Sequence, residues 1–312
     1  MKLYALITLF LTLIMLFLPF LSLNKSLSEI SFSKSENSVP ETTGVLVSST
    51  ENGSTDEVDL KSYLVGVVAS EMPASFETEA LKAQAVAAYS YQKYLKENGS
   101  DYITDSSEIH QGYKTDEELK SLWGNKYDSY KSKIMSAVES VFGEYLIFDG
   151  KTVPALYHAL SPGVTESAEN VFGNKAPCLM STTAPGDKLS PDYCTETKLS
   201  KADVENLLKS EDVTLSENAS DWIEVTKSLK SGYAKEVRIG DKLFDGNKVR
   251  KLFALNSPFF SAEHRDGSFI FSVYGKGHGV GMSQYSADYM ARQGFSYEDI
   301  LLHFYKGAEI VK

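Results

Sequence analysis

Between residues 60 and 68 the apolar positions fall at Leu60, Tyr63, Leu64, Val67 and Val68, the spacing of one buried helix face. One further turn along that face stands Glu71. Pro73 then stops the helix, because the residue before a proline is driven out of the αR region. A second helix is predicted beyond this corner: Thr78 is its candidate cap, Glu79 suits its first turn, and residues 80–95 are rich in strong helix formers. Its alanines at 80, 83, 85, 87 and 88 let other backbones come close, which suits a helix packed in the middle of a domain.

Further along, residues 101–113 read as a loop with a short strand, and Thr115 with Glu118 forms a capping box ahead of Leu119 and Leu122. A helix is expected over 127–141, followed by a hairpin signal of two apolar runs around Asp149-Gly150. Residues 157–173 read as an ordered polar loop, and 175–197 show turn residues without a period. Ser200 caps a helix ending near Lys209; strands are expected over 222–226, 234–239 and 268–273, with a turn at Gly240-Asp241 and a short helix near 247–253. Glycines at 275, 277, 279 and 281 alternate, so on an extended segment they would all face one way and offer bare backbone to a neighbour or a ligand. No P-loop pattern is present there. A helix follows over 283–293, ended by Gly294, and Ser296 with Asp299 caps a last one through Phe304. This irregular alternation predicts an α+β fold: helices and short antiparallel strands around one core, without internal repeats.

The two ends of the chain differ in character. Residues 3–23 are an apolar run of about 21 residues, or roughly 30 Å of helix, long enough to cross a bilayer. With Lys2 held inside, the bulk of the chain lies outside the cytoplasm. Residues 24–57 are dominated by Ser, Glu, Asn and Thr and are expected to form a flexible tether, with the folded domain spanning 58–312. The net charge of −11 and the lack of any basic run argue against a nucleic-acid partner. Cys178 and Cys194 form no metal-ligand pattern, and the sequence is compatible with either a disulfide or two thiols.

The chemistry centres on Glu71. A carboxyl at a helix C-terminus that faces a core or cleft is disfavoured as an anion, by desolvation and by the negative end of the helix dipole. A carboxyl that stays protonated near neutral pH is suited to general acid work. From periodicity alone, a surface glutamate at a frayed helix end remains the alternative. His278 has a similar pair of readings: a structural hydrogen bond or contact with substrate.

Several stretches together resemble the stage II sporulation protein D family of cell-wall proteins, within a superfamily that also holds amidase enhancers. They are the Val68–Pro73 corner, with Glu71-Met72-Pro73; the Glu79–Ala88 helix; the Thr165–Gly173 loop; and Gly277–Gln284. The resemblance runs from about Val58 to the C-terminus. It implies a lytic transglycosylase that cuts peptide-free peptidoglycan strands during forespore engulfment, alongside partner membrane proteins and cell-wall hydrolases. Glu71 maps onto the family's acid/base. Tyr89, Gln111, Tyr113, Thr165, Glu166, His278, Ser283 and Gln284 map onto motif positions and are candidates for the cleft. Tyr89 stands where the family often has an arginine, and Asp192 stands in place of a lysine. The Cys/His cluster that binds zinc in some members is reduced here to His110, so neither metal nor cofactor is expected. A non-catalytic module that enhances an amidase, or a scaffold for engulfment proteins, is the alternative function.

Overall fold

The computed structural model describes residues 44–312. The predicted membrane anchor and most of the predicted tether lie outside them. Among the described residues no helix is long and apolar enough to cross a membrane.

The folded part begins earlier than Val58. Strands β1 (Gly44–Ser48) and β2 (Thr55–Asp59) form an antiparallel pair, with Val45 and Val47 of β1 buried and the polar side chains of β2 mostly exposed. Two buried valines in alternation suffice to anchor a strand whose surroundings are polar. Helix α1 (Leu60–Glu71) and helix α2 (Thr78–Glu97) then form the predicted corner. Asp59 caps α1 by accepting from the Ser62 amide at 3.0 Å. Thr78, by contrast, is the first helical residue of α2 and Glu77 its cap position, without a side-chain cap bond.

The chain continues through β3 (Ile103–Thr104), α3 (Asp116–Trp123) and α4 (Tyr127–Ser140). The Thr115–Glu118 capping box is formed as expected. Strands β4 (Tyr145–Phe148) and β5 (Lys151–Thr152) are the predicted hairpin, with Asp149 and Gly150 both at positive φ, as a two-residue type I′ turn requires. The expected loop at 157–173 in fact carries β6 (Tyr157–His158) and α5 (Ala168–Phe172). Next come β7 (Cys194–Ser200), α6 (Lys201–Leu208), β8 (Ile223–Ser228), β9 (Ala234–Ile239), β10 (Lys242–Phe244), α7 (Gly246–Leu252), β11 (Phe260–Arg265) and β12 (Ser268–Tyr274). The chain ends with β13 (Met282–Ser283), α8 (Gln284–Arg292), α9 (Tyr297–Phe304) and β14 (Glu309–Val311).

The α+β class holds, yet the apolar side chains form two clusters rather than the single core expected. The larger gathers α1, α2, α4, α8, α9 and the β4 hairpin, with Ala80, Ala83, Ala87 and Ala88 of α2 fully buried among them. The smaller is aromatic, built on the β11–β12–β7 and β10–β9–β8 sheets and containing Trp222, Phe253, Phe260, Phe269 and Phe271. Most sheets are antiparallel; β1–β3 and β6–β13 pair in parallel. Neither cysteine is bonded: Cys178 is buried and Cys194 exposed, both as free thiols.

The glycine run is not an extended strand. Gly275, Gly277, Gly279 and Gly281 all have positive φ, so the segment is a loop in left-handed conformations. Its bare backbone packs against residues 156–161 and the Phe259 ring. The close approach expected of these glycines is therefore present, and the backbone they meet is β6 and its flanks.

Candidate active site

Glu71 is the last residue of α1, and the chain leaves it through Met72 in an extended conformation ahead of Pro73. The corner is tied down from two other helices. Lys133 of α4 donates to the carbonyls of Ala74, at 3.0 Å, and Phe76. Asp288 of α8 accepts from the Glu77 amide at 2.7 Å. The corner that presents Glu71 is thus held by α4 and α8.

The carboxylate has a defined partner on each oxygen. Oε1 accepts from the backbone N–H of Gly112 at 2.5 Å. A Cβ at position 112 would lie 2.9 Å from that oxygen and 2.9 Å from the Ser70 hydroxyl, so only glycine admits this approach. Oε2 accepts from Gln284 Nε2 at 3.4 Å, and the same amide also donates to Gln84 Oε1 at 3.3 Å. Burial raises the Glu71 pKa, while the Gly112 N–H and the Gln284 amide pull it partway back. Among the described residues no second carboxylate acts on its charge. Because the Gln284 amide favours the anion, Gln284→Leu is expected to raise the Glu71 pKa further. A carbon-NMR titration of the Glu71 carboxyl checks this; an unmoved or lowered pKa would exclude the contact.

Around this carboxyl lies a wall of phenols and amides. Gln111 is buried, donating to the Tyr63 hydroxyl at 2.7 Å and accepting from the Tyr157 hydroxyl at 2.9 Å. Tyr113 stacks on Tyr63 with ring centroids 5.5 Å apart and lies against Gly66, where a Cβ would meet its ring. Burial pushes the hydroxyls of Tyr63 and Tyr157 upward, and the neighbouring Glu71 charge adds to this, so both stay neutral donors.

The C-terminal motif reaches the same place. Strand β13 pairs in parallel with β6, and α8 starts directly after it. Ser283 caps α8, so its hydroxyl is a brace and not a cleft group. That hydroxyl donates at 2.7 Å to Asp187, which is fully buried and also accepts from the Ser286 hydroxyl and the Ser161 amide, each at 2.7 Å. This knot fixes the helix end from which Gln284 touches Glu71. Asp187→Ala would leave three buried donors unpaired, a loss of about 2–4 kcal/mol of stability, read as a lowered urea midpoint. A midpoint within error of the wild type would show that the knot carries no strain-bearing role.

The remaining candidates are held by other partners. His278 accepts from the Val280 amide at 3.1 Å through Nδ1 and is held neutral, its pKa lowered to about 3 by burial and by neighbouring His158 and Arg250. His158 is buried, its Nδ1 on the Val280 carbonyl side and its Nε2 without a hydrogen-bond partner among the described residues. Thr165 is fully buried and bonds the backbone of Thr182 in both directions. Glu166 accepts from the Ser167 amide, Asn170 and Ser231. Both brace the 165–173 loop. Tyr89 is buried in the larger core cluster and packs edge-on against Tyr145. Sequence reasoning overlooked Gln84, Gly112, Tyr63, Tyr157 and Asp187. Gln84 left a signal, as the lone amide inside a stripe of buried alanines. Asp187, after Pro185-Gly186, reads as an ordinary turn residue.

Glu71, Gln84 and Gln284 thus converge from the stretches whose motifs stood out in the sequence. Comparison with known proteins agrees. Residues 48–148 match the family model described as stage II sporulation protein. Stage II sporulation protein D of Bacillus subtilis is 34% identical over 267 residues, covering 84% of this chain and 77% of that protein. Its counterpart from Bacillus amyloliquefaciens is 35% identical over 268 residues, with 84% and 76% covered. The amidase enhancer of Bacillus subtilis is 27% identical over 302 residues, covering 79% of this chain but 40% of that protein. This chain belongs to the stage II sporulation protein D family.

Proposed function

We propose that the protein is a membrane-anchored lytic transglycosylase that cuts peptide-free peptidoglycan strands, acting outside the cytoplasm in forespore engulfment with other membrane proteins and cell-wall hydrolases. The observation that carries this is the setting of Glu71: one carboxyl with a raised proton affinity, a partner on each oxygen, and, among the described residues, no second carboxylate acting on it.

Hydrolysis of a glycosidic bond generally uses two carboxyls. A single carboxyl suits a reaction in which the sugar supplies its own nucleophile. Protonated Glu71 gives its proton to the oxygen joining N-acetylmuramic acid to the next N-acetylglucosamine, and that bond breaks to an oxocarbenium-like C1. The C6 hydroxyl of the muramic sugar then attacks C1, and the ionised Glu71 takes the hydroxyl proton. The carboxyl returns to its starting form, a 1,6-anhydro ring is made, and no water is consumed. The Gly112 N–H and the Gln284 amide stabilise the anion left by the first proton transfer, while burial keeps the resting carboxyl protonated and that anion basic enough for the second.

Residues 44–312 incubated with peptide-free strands should release fragments with anhydro ends, identified by mass. Fragments heavier by one water would mean hydrolysis and a second acid. A second reading, a module that enhances an amidase, is favoured by the likeness to the amidase enhancer and by Tyr89, which fills the usual arginine position with a core residue. Failure to cut any glycan, together with stimulation of an added amidase, would select it.

A further inference from the structure

A cation beside the glycine segment makes no hydrogen bond or ion pair among the described residues. Arg250 lies on α7, on the smaller aromatic cluster, and is mostly buried. Among the described residues its guanidinium makes no hydrogen bond or ion pair; the exposed carboxylate of Glu108 is the charge that bears on it. The backbone sets the turn after α7 against the glycine segment: Leu255 donates to the Arg250 carbonyl at 2.8 Å, and Gly277 donates to Asn256 at 2.9 Å. Arg250 therefore stands beside His278, whose proton affinity its charge depresses.

An aromatic ring meets the same histidine. Phe172, the last residue of α5, lies 5.5 Å from His278 between ring centroids and is 46% exposed. An exposed phenylalanine alone needs no explanation. Its coincidence with a partly desolvated, unpaired guanidinium does, because such a cation is costly unless something supplies the missing anion. The link to Glu71 runs through Tyr157, whose hydroxyl donates at 2.9 Å to Gln111, the neighbour of the Gly112 that bonds Glu71, and whose backbone bonds His278.

We infer that Arg250 and Phe172 form a saccharide subsite next to Glu71, in which the ring stacks on a sugar face and the guanidinium binds the lactyl carboxylate of a muramic acid residue whose peptide has been removed. This rests on the transglycosylase reading for its substrate class. The chemistry distinguishes the two states of the glycan. A bare lactyl group is a carboxylate, matched to the fork of an arginine, whereas a peptide-bearing one is a neutral amide at the same atom. The subsite also replaces, from another element, the basic groups missing at positions 89 and 192.

Binding is measured with the full chain in detergent carrying Glu71→Gln, so that no cleavage interferes. The probes are peptide-free glycan oligomers and the same oligomers with their lactyl carboxylates reduced to alcohols. The Glu71→Gln protein should bind the carboxylate form on the order of 10- to 100-fold tighter. Adding Arg250→Gln should erase that preference, Arg250→Lys should keep part of it, and Phe172→Ala should weaken both forms equally. A preference that survives Arg250→Gln, in protein whose melting curve is unchanged, overturns the inference even if wild type cuts glycan. If wild type does not cut but Arg250 still sets the preference, the subsite stands and the transglycosylase reading falls. No binding to either probe overturns the subsite.

Discussion

Glu71→Gln should lower cleavage of peptide-free glycan by roughly 100- to 10,000-fold, the range over which a positioned general acid contributes. Glutamine has nearly the shape of glutamic acid and keeps an oxygen for the Gly112 N–H, so the corner should remain folded. What it lacks is the transferable proton. The same substitution should have an opposite effect on stability. Burial raises the folded-state pKa of Glu71 above its ordinary value of 4.5. Its contribution to stability is full below the unfolded pKa and is lost as pH rises through the folded one. Glu71→Gln protein should therefore melt higher than wild type near neutral and alkaline pH, with the gap closing on acidification. Melting curves at several pH values test this beside the activity assay. Retained cleavage would remove Glu71 from the mechanism, and a gap independent of pH would mean that the carboxyl is not desolvated.

Gly281→Ala should be the most damaging single methyl in the C-terminal motif. Gly281 has φ +73°, and a Cβ there would sit 1.9 Å from the Leu156 carbonyl oxygen. That oxygen has no freedom to retreat, since it accepts from the Met282 amide at 3.1 Å and the Tyr305 hydroxyl at 2.8 Å. Backbone strain and the clash add, and the expected loss is about 4 kcal/mol or more. Gly294 is the control. Its φ is +88°, but nothing lies within 4 Å of its Cβ position, so Gly294→Ala should cost only about 1 kcal/mol. Urea denaturation of the two variants separates these cases. Equal midpoints would show that the loop rearranges around the methyl at 281.

Where local signals agree with tertiary packing, the sequence was readable. The α1 face, the alanine stripe of α2, the Thr115–Glu118 and Ser296–Asp299 capping boxes and the Asp149-Gly150 turn each carry their cause within a few residues. Strand β7 was not legible: its residues alternate between half-covered and exposed, and pairing with β12 alone makes it a strand. Strands β1 and β11 were missed for a similar reason, each short and surrounded by polar residues. At the site, Glu71 was placed by the periodic face of α1 and Gln284 by its motif alone, and the structure brings the two side chains to 3.4 Å. Thr165, Glu166, Ser283 and Tyr89 lay in the right motifs but face inward as braces. A motif position says that a residue matters; only the fold says whether it meets the cleft or the scaffold behind it.

The partners of Glu71 have a temporal meaning. The acid is made first, whereas the Gln284 amide on one of its oxygens, and the Asp288 carboxylate on its corner, arrive more than 200 residues later. A nascent or truncated chain therefore carries the carboxyl without the frame that sets its proton affinity. Completion of the site waits on the docking of α8, so the carboxyl acquires its chemistry long after it has been made.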